Sequence, residues 1–120
     1  MTPMEMLREF SDASGGFTFD DAMIKLRAKL TAEEAEEVDT ELCLFLIGCG
    51  SKAMLAKELA DLLYVAYGTA HCFGIDLERV FAEVHRSNMS KLPATMRDDG
   101  KVLKGSNYSP PDLSFVDGAS

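Results

Sequence analysis

The stretch KELADLLYV, residues 57–65, has the make-up of a buried helix except that Glu58 and Asp61 stand three apart inside it. Upstream, Met23, Leu26 and Leu30 recur at spacings of three and four, and the same spacing carried forward lands on Glu34 and Glu37. Residues three or four apart share a helix face. One helix therefore continues an apolar stripe into Glu34 and Glu37, and another sets Glu58 and Asp61 between Met54 and Val65. An ionised carboxylate taken out of water is unfavourable by several kcal/mol unless it is paired. No basic residue is spaced to match these acids, since Lys52 and Lys57 are expected on other faces. A hard divalent cation is the natural counter-charge, and an all-carboxylate set without His or Cys suits magnesium or manganese. A solvated acidic stripe would explain EEAEE alone, but it explains ELADLL badly.

These acids need helices to carry them, and the chain supplies little else. Met4 to Phe10 reads as a short helix ended by SDASGG. Asp20 is placed to cap a long second helix that runs toward LCLFLIGCG, where the glycines at 48 and 50 stop it. Ser51 caps a third helix reaching about Phe73 and Gly74. Asp76 caps a fourth with Leu77, Val80, Phe81, Val84 and Met89 on one face. From Pro93 onward the prolines and glycines predict an irregular tail. The expected fold is all-α, a bundle of four to five helices forming a single domain over residues 1–120, with its core at about 20–92.

Composition narrows the function. A net charge of −8 argues against general affinity for nucleic acid. No apolar run approaches the ~20 residues that span a bilayer, and the start MTPMEMLREF lacks the order of a signal peptide, so a soluble cytoplasmic protein with no membrane partner is expected. Cys43, Cys49 and Cys72 form no C-x-x-C and leave an odd thiol, which suggests neither disulfides nor zinc. His71 and His85 read as structural: neither follows a glutamate by three, the positions being Gly68 and Ala82, so a ferritin-like di-iron site is excluded. His85 is also badly spaced to serve Ser87 or Ser90 as a base. One segment runs against the acidic balance: Arg86, Lys91, Arg97, Lys101 and Lys104 face only Asp98 and Asp99 in sequence, which marks a candidate anion-binding stretch.

The pattern Glu33-Glu34-Ala35-Glu36-Glu37 followed by Glu58-Leu59-Ala60-Asp61 resembles the all-α nucleoside triphosphate pyrophosphohydrolases, which include the MazG-like enzymes, dimeric dUTPases and phosphoribosyl-ATP pyrophosphohydrolase. DLLYVAYGTAHCFGIDLERVFAEVHRSNMSKL, DGKVLKG and NYSPPDL are similar to small MazG-like proteins of bacteria and phages, so the resemblance covers about residues 22–113. Thr31 and Ala32, and the apolar LCLFLIGCG segment, depart from the family pattern. The resemblance implies Glu34, Glu37, Glu58 and Asp61 as magnesium ligands, with two or more ions per site and manganese as substitute. It implies Glu33 as a catalytic group beside Glu34 and Glu37: a support behind the ligands, a ligand to a further ion, or the base that orients water. It also implies Asn88 and Lys91, an N-x-x-K pair, together with Lys101, Lys104 and Tyr108, as phosphate-binding residues, with residues 93–113 closing over the triphosphate.

The implied reaction is hydrolysis of a nucleoside triphosphate to the monophosphate and pyrophosphate, in a bacterial or phage-infected cytoplasm. A deoxypurine triphosphate such as dGTP is the expected substrate; the alternatives are a dUTP/dCTP-type enzyme or a non-catalytic nucleotide-binding module. Phe10, Phe17 and Phe19 are either base-stacking rings or core plugs. Four helices of these lengths leave apolar surface, LCLFLIGC above all, which predicts a homo-oligomer, a tetramer before a dimer.

Overall fold

The computed structural model describes residues 1–93 and 95–118. Among them there are five helices and no strand: α1 (Pro3–Ala13), α2 (Asp21–Leu46), α3 (Lys52–Phe73), α4 (Leu77–Met89) and α5 (Ser114–Asp117). The expected all-α architecture is what the chain adopts. It divides into two compact units, Met1–Ile75 and Asp76–Ser120. No helix among the described residues is long and apolar enough to cross a membrane.

Local chemistry sets the helix ends. Thr2 Oγ1 accepts from Glu5 N at the start of α1, where Pro3 occupies the first turn. Asp20 Oδ1 accepts from Met23 N at α2, and Ser51 Oγ accepts from Met54 N at α3. Both long helices end in the same way. Gly48 and Gly74 adopt φ of +80° and +68°, while Cys49 N and Ile75 N donate back to the Leu44 and Ala70 carbonyls. This closure needs a left-handed residue, which glycine supplies without strain. One boundary differs from expectation: α1 continues three residues past Phe10. Ser11 stays helical because its buried hydroxyl accepts from Phe17 N, folding the following glycine turn against the helix.

In the first unit α3 packs on both α2 and α1. Its apolar core is small: Leu7, 2% exposed, and Ala70 are the hydrophobic side chains fully buried among the described residues. Burying Leu7 is worth roughly 1.5–3 kcal/mol. The more unusual buried group is Arg27 of α2, 9% exposed. Its guanidinium lies 5.2 Å from the centre of the Phe17 ring and crosses α3 at Gly68, where an added Cβ would fall 2.3 Å from Nη1. Glycine in mid-helix is unfavourable by about 1 kcal/mol relative to alanine; here it clears the space the guanidinium fills.

The second unit is α4 and the chain that returns to it. Ser87 Oγ donates to the Ser109 carbonyl, Ser109 N donates to Ser90 Oγ, and Arg86 Nη2 donates to the Pro110 carbonyl. Arg79 stacks 3.9 Å from the centre of the Phe115 ring. Between these anchors, Met96 and Val102 form a lone antiparallel bridge around a turn at Gly100, closed by the Arg97–Asp99 ion pair.

Candidate metal centre

α2 and α3 run antiparallel through the short turn after Leu46, which brings their acidic positions face to face. One carboxylate oxygen from each of Glu34, Glu37, Glu58 and Asp61 lies within 4.8 Å of the others. Glu58 is 7% exposed, Glu34 and Asp61 are half-buried, and Glu37 opens to solvent. Glu34 Oε2 and Glu58 Oε2 are buried with no hydrogen-bond partner. Unpaired buried carboxylate oxygens are unfavourable, and here two of them converge with two further acids on one point. This donor set fits a hard divalent cation, which takes oxygen ligands and neutralises mutual repulsion.

The electrostatics carry the same strain. The Glu37 carboxyl is pushed up to about 7, first by its hydrogen bond to Glu58 and then by the charges of Glu34 and Glu58. A shared proton thus relieves the repulsion that a metal ion would otherwise relieve.

The expectation that Lys57 points elsewhere is corrected. Its Nζ sits 2.8 Å from Asp61 Oδ2 and 3.5 Å from Glu58 Oε1. Lysine and aspartate four apart are neighbours on a helix surface, and the flexible four-carbon stem covers the remaining gap. The hydrogen bond to Asp61, followed by that carboxylate's charge, raises the Lys57 ammonium above its ordinary value. The spacing that could have revealed this contact was present in KELAD.

Glu33 lies outside the four-acid group and is half exposed, 4.0 Å from Lys29 Nζ. Arg27 was missed in sequence reading although it falls in register with Glu34, seven residues on; the pointer was Gly68, a glycine inside a helix. Phe10 is 49% exposed, with its ring edge-on to Tyr64 at 5.7 Å. Phe17 packs against His71 at 5.9 Å, the bland role expected of that histidine, and Phe19 meets Phe73 at 4.8 Å.

In the second unit, Asn88, Lys91 and Lys101 line one cavity of about 430 Å³. The 95–103 turn brings Lys101 back toward α4, since Arg97 N donates to the Lys101 carbonyl and Leu103 N to that of Thr95. Lys104 Nζ lies 4.7 Å from the centre of the Tyr108 ring. Arg86 and Arg97 are engaged by Glu83 and Asp99. Among the described residues no ion pair engages Lys91, Lys101 or Lys104, so the excess positive charge of this segment rests on these three lysines.

No curated protein matches the chain. The family described as phosphoribosyl-ATP pyrophosphohydrolase matches residues 4–88, a span that holds all four clustered acids. With more than half of its length matched, and with α2 and α3 presenting those acids as a pair, the chain belongs to the phosphoribosyl-ATP pyrophosphohydrolase family and so to the all-α nucleoside triphosphate pyrophosphohydrolase superfamily.

Proposed function

We propose that the chain hydrolyses a nucleoside or deoxynucleoside triphosphate to the monophosphate and pyrophosphate, with magnesium held by Glu34, Glu37, Glu58 and Asp61 and manganese as substitute. Family membership gives the class, a metal-assisted pyrophosphohydrolase acting on a nucleotide-like substrate. The observation that carries the finer reading is the pair of buried, unpartnered oxygens of Glu34 and Glu58 within the four-acid group. Bound divalent ions would neutralise phosphate charge and lower the pKa of an attacking water. The carboxylates hold those ions, and Glu33, at the exposed edge of α2, orients the water. Asn88, Lys91, Lys101, Lys104 and Tyr108 are assigned to phosphate oxygens, for which three lysines free of ion pairs are suited.

The substrate is read as a deoxypurine triphosphate such as dGTP. The test is pyrophosphate release from all common NTPs and dNTPs, and from phosphoribosyl-ATP, with magnesium or manganese. Preference for dUTP or dCTP, or for phosphoribosyl-ATP, would replace the dGTP assignment, and no turnover of any of them would leave a nucleotide-binding module.

Lys101→Ala and Lys104→Ala are expected to raise KM or lower kcat by roughly tenfold, as loss of one charge-assisted hydrogen bond implies, while Tm stays nearly unchanged because the lysines are exposed. Unaltered kinetics in both variants would remove the phosphate assignment.

Assembly is read as a homotetramer, with a dimer second. Leu46 is 86% exposed and Ile47 72%, beside Leu42 and Phe45 at the end of α2, a patch that a second copy would cover. Light scattering that gives a monomer at micromolar concentration would overturn it.

A further inference from the structure

Among the described residues, Lys57 is the one basic side chain paired with the acidic group, where it holds two oxygens, Asp61 Oδ2 at 2.8 Å and Glu58 Oε1 at 3.5 Å. The oxygens it leaves alone are Glu34 Oε2 and Glu58 Oε2, the buried, unpartnered pair. The group is therefore divided. One side faces an ammonium; the other faces only carboxylates.

The ammonium is built to leave. Lys57 and Asp61 are one turn apart on the same helix, so the contact forms or breaks without backbone movement. The Lys57 side chain is 62% exposed, so it can swing into solvent at little loss of packing. Charge decides when it would do so. Once the Glu37 proton has left, four carboxylates and one ammonium leave three net negative charges. One divalent ion on the buried oxygens reduces these to one. A second ion, placed between Glu58 Oε1 and Asp61 Oδ2, would make the group net positive and set two cations against the ammonium it must displace. An arriving polyphosphate reverses that balance and offers the three donors of the ammonium a new set of acceptors.

We propose that Lys57 is a positioning residue that serves as a resident, displaceable cation: it holds the place between Glu58 and Asp61, leaves the buried oxygens to one divalent ion, and keeps a second ion weakly bound until a polyphosphate is present. The inference rests on the metal reading above.

The test is Mn²⁺ binding to the full chain without nucleotide, followed by titration calorimetry and by electron paramagnetic resonance of the free ion. Wild type is expected to take up one ion tightly and a second at least roughly tenfold more weakly. Lys57→Met, which keeps the stem and removes the charge, takes up two ions of similar affinity, and Lys57→Arg behaves as wild type. A non-hydrolysable triphosphate analogue brings wild type to two ions. Without metal, Lys57→Met melts below wild type; at saturating Mn²⁺ the two coincide, whereas a purely structural lysine would lower both melting points alike. Lys57→Gln serves as second variant if methionine impairs folding. Equal stoichiometry and affinities in wild type and both neutral variants overturn the role of Lys57 and leave the metal site standing. No Mn²⁺ uptake by any of them removes both.

Discussion

Glu58→Gln is expected to lose pyrophosphohydrolase activity by about 100-fold, the upper end of what losing groups that support a metal's ligands costs. The substitution keeps the shape of the side chain and removes one ligand charge at the most buried acid of the group, 7% exposed. The metal-free variant should be as stable as metal-free wild type, or slightly more so, because repulsion against Glu34, Glu37 and Asp61 falls. Added magnesium should then stabilise wild type more than the variant. A solvated acidic stripe predicts none of this: no metal dependence, full activity and a stability change within about 0.5 kcal/mol. Full activity in Glu58→Gln would remove the four-acid site from the mechanism.

The second large effect is a metal-dependent stabilisation that shrinks in acid. At a hundredfold excess of ion over its dissociation constant, binding to the folded chain alone adds about 2.7 kcal/mol. Glu37 sets the pH dependence. Its carboxyl sits at about 7 in the folded protein against 4.5 ordinarily, so between those values the folded state holds a proton that the unfolded chain releases. The metal-free fold should therefore gain stability as pH falls from about 7.5 to 5 and lose that gain as pH rises through 7. Metal binding requires the proton to leave, so ion affinity falls over the same range. Glu83, Asp99 and Asp112 are held below their ordinary values, chiefly by hydrogen bonds from Arg86, Arg97 and Ser114 respectively. Their contribution is lost only in more acid solution, outside this window. Thermal melts with and without magnesium at pH 5.5, 6.5 and 7.5 read the effect, and Glu37→Gln should flatten the metal-free slope. A metal-free melting point that falls steadily from pH 7.5 to 5.5 would contradict the shared proton.

The long helices could be read almost to the residue because their ends are written in local chemistry: Asp20, Ser51 and Asp76 as caps, Gly48 and Gly74 as closures. The four-acid group could be read because period 3.6 and the cost of burying charge act on neighbouring residues. What stayed hidden depended on reach rather than period. The Lys57–Asp61 pair was open to reading from its i,i+4 spacing, but the reach of the same ammonium to Glu58, one residue on, depended on its long stem. The extension of α1 to Ala13 depended on Ser11 finding Phe17 N six residues later, a contact no helical spacing announces. Burial of Arg27 depended on an absence, the missing side chain at Gly68 on another helix.

That absence also fixes how α2 and α3 are indexed against each other. From Arg27 to Glu34 is seven residues along α2, and from Gly68 back to Asp61 is seven along α3, about 10.5 Å in each case. Because the helices are antiparallel, the guanidinium in its slot and the four carboxylates are two notches cut at equal pitch. Sliding one helix by a turn, about 5.4 Å, would drive Arg27 into a side chain where α3 now offers none, and would part Glu34 from its partners in the same step. The acids can thus be held close against their own repulsion by a gauge set two turns away.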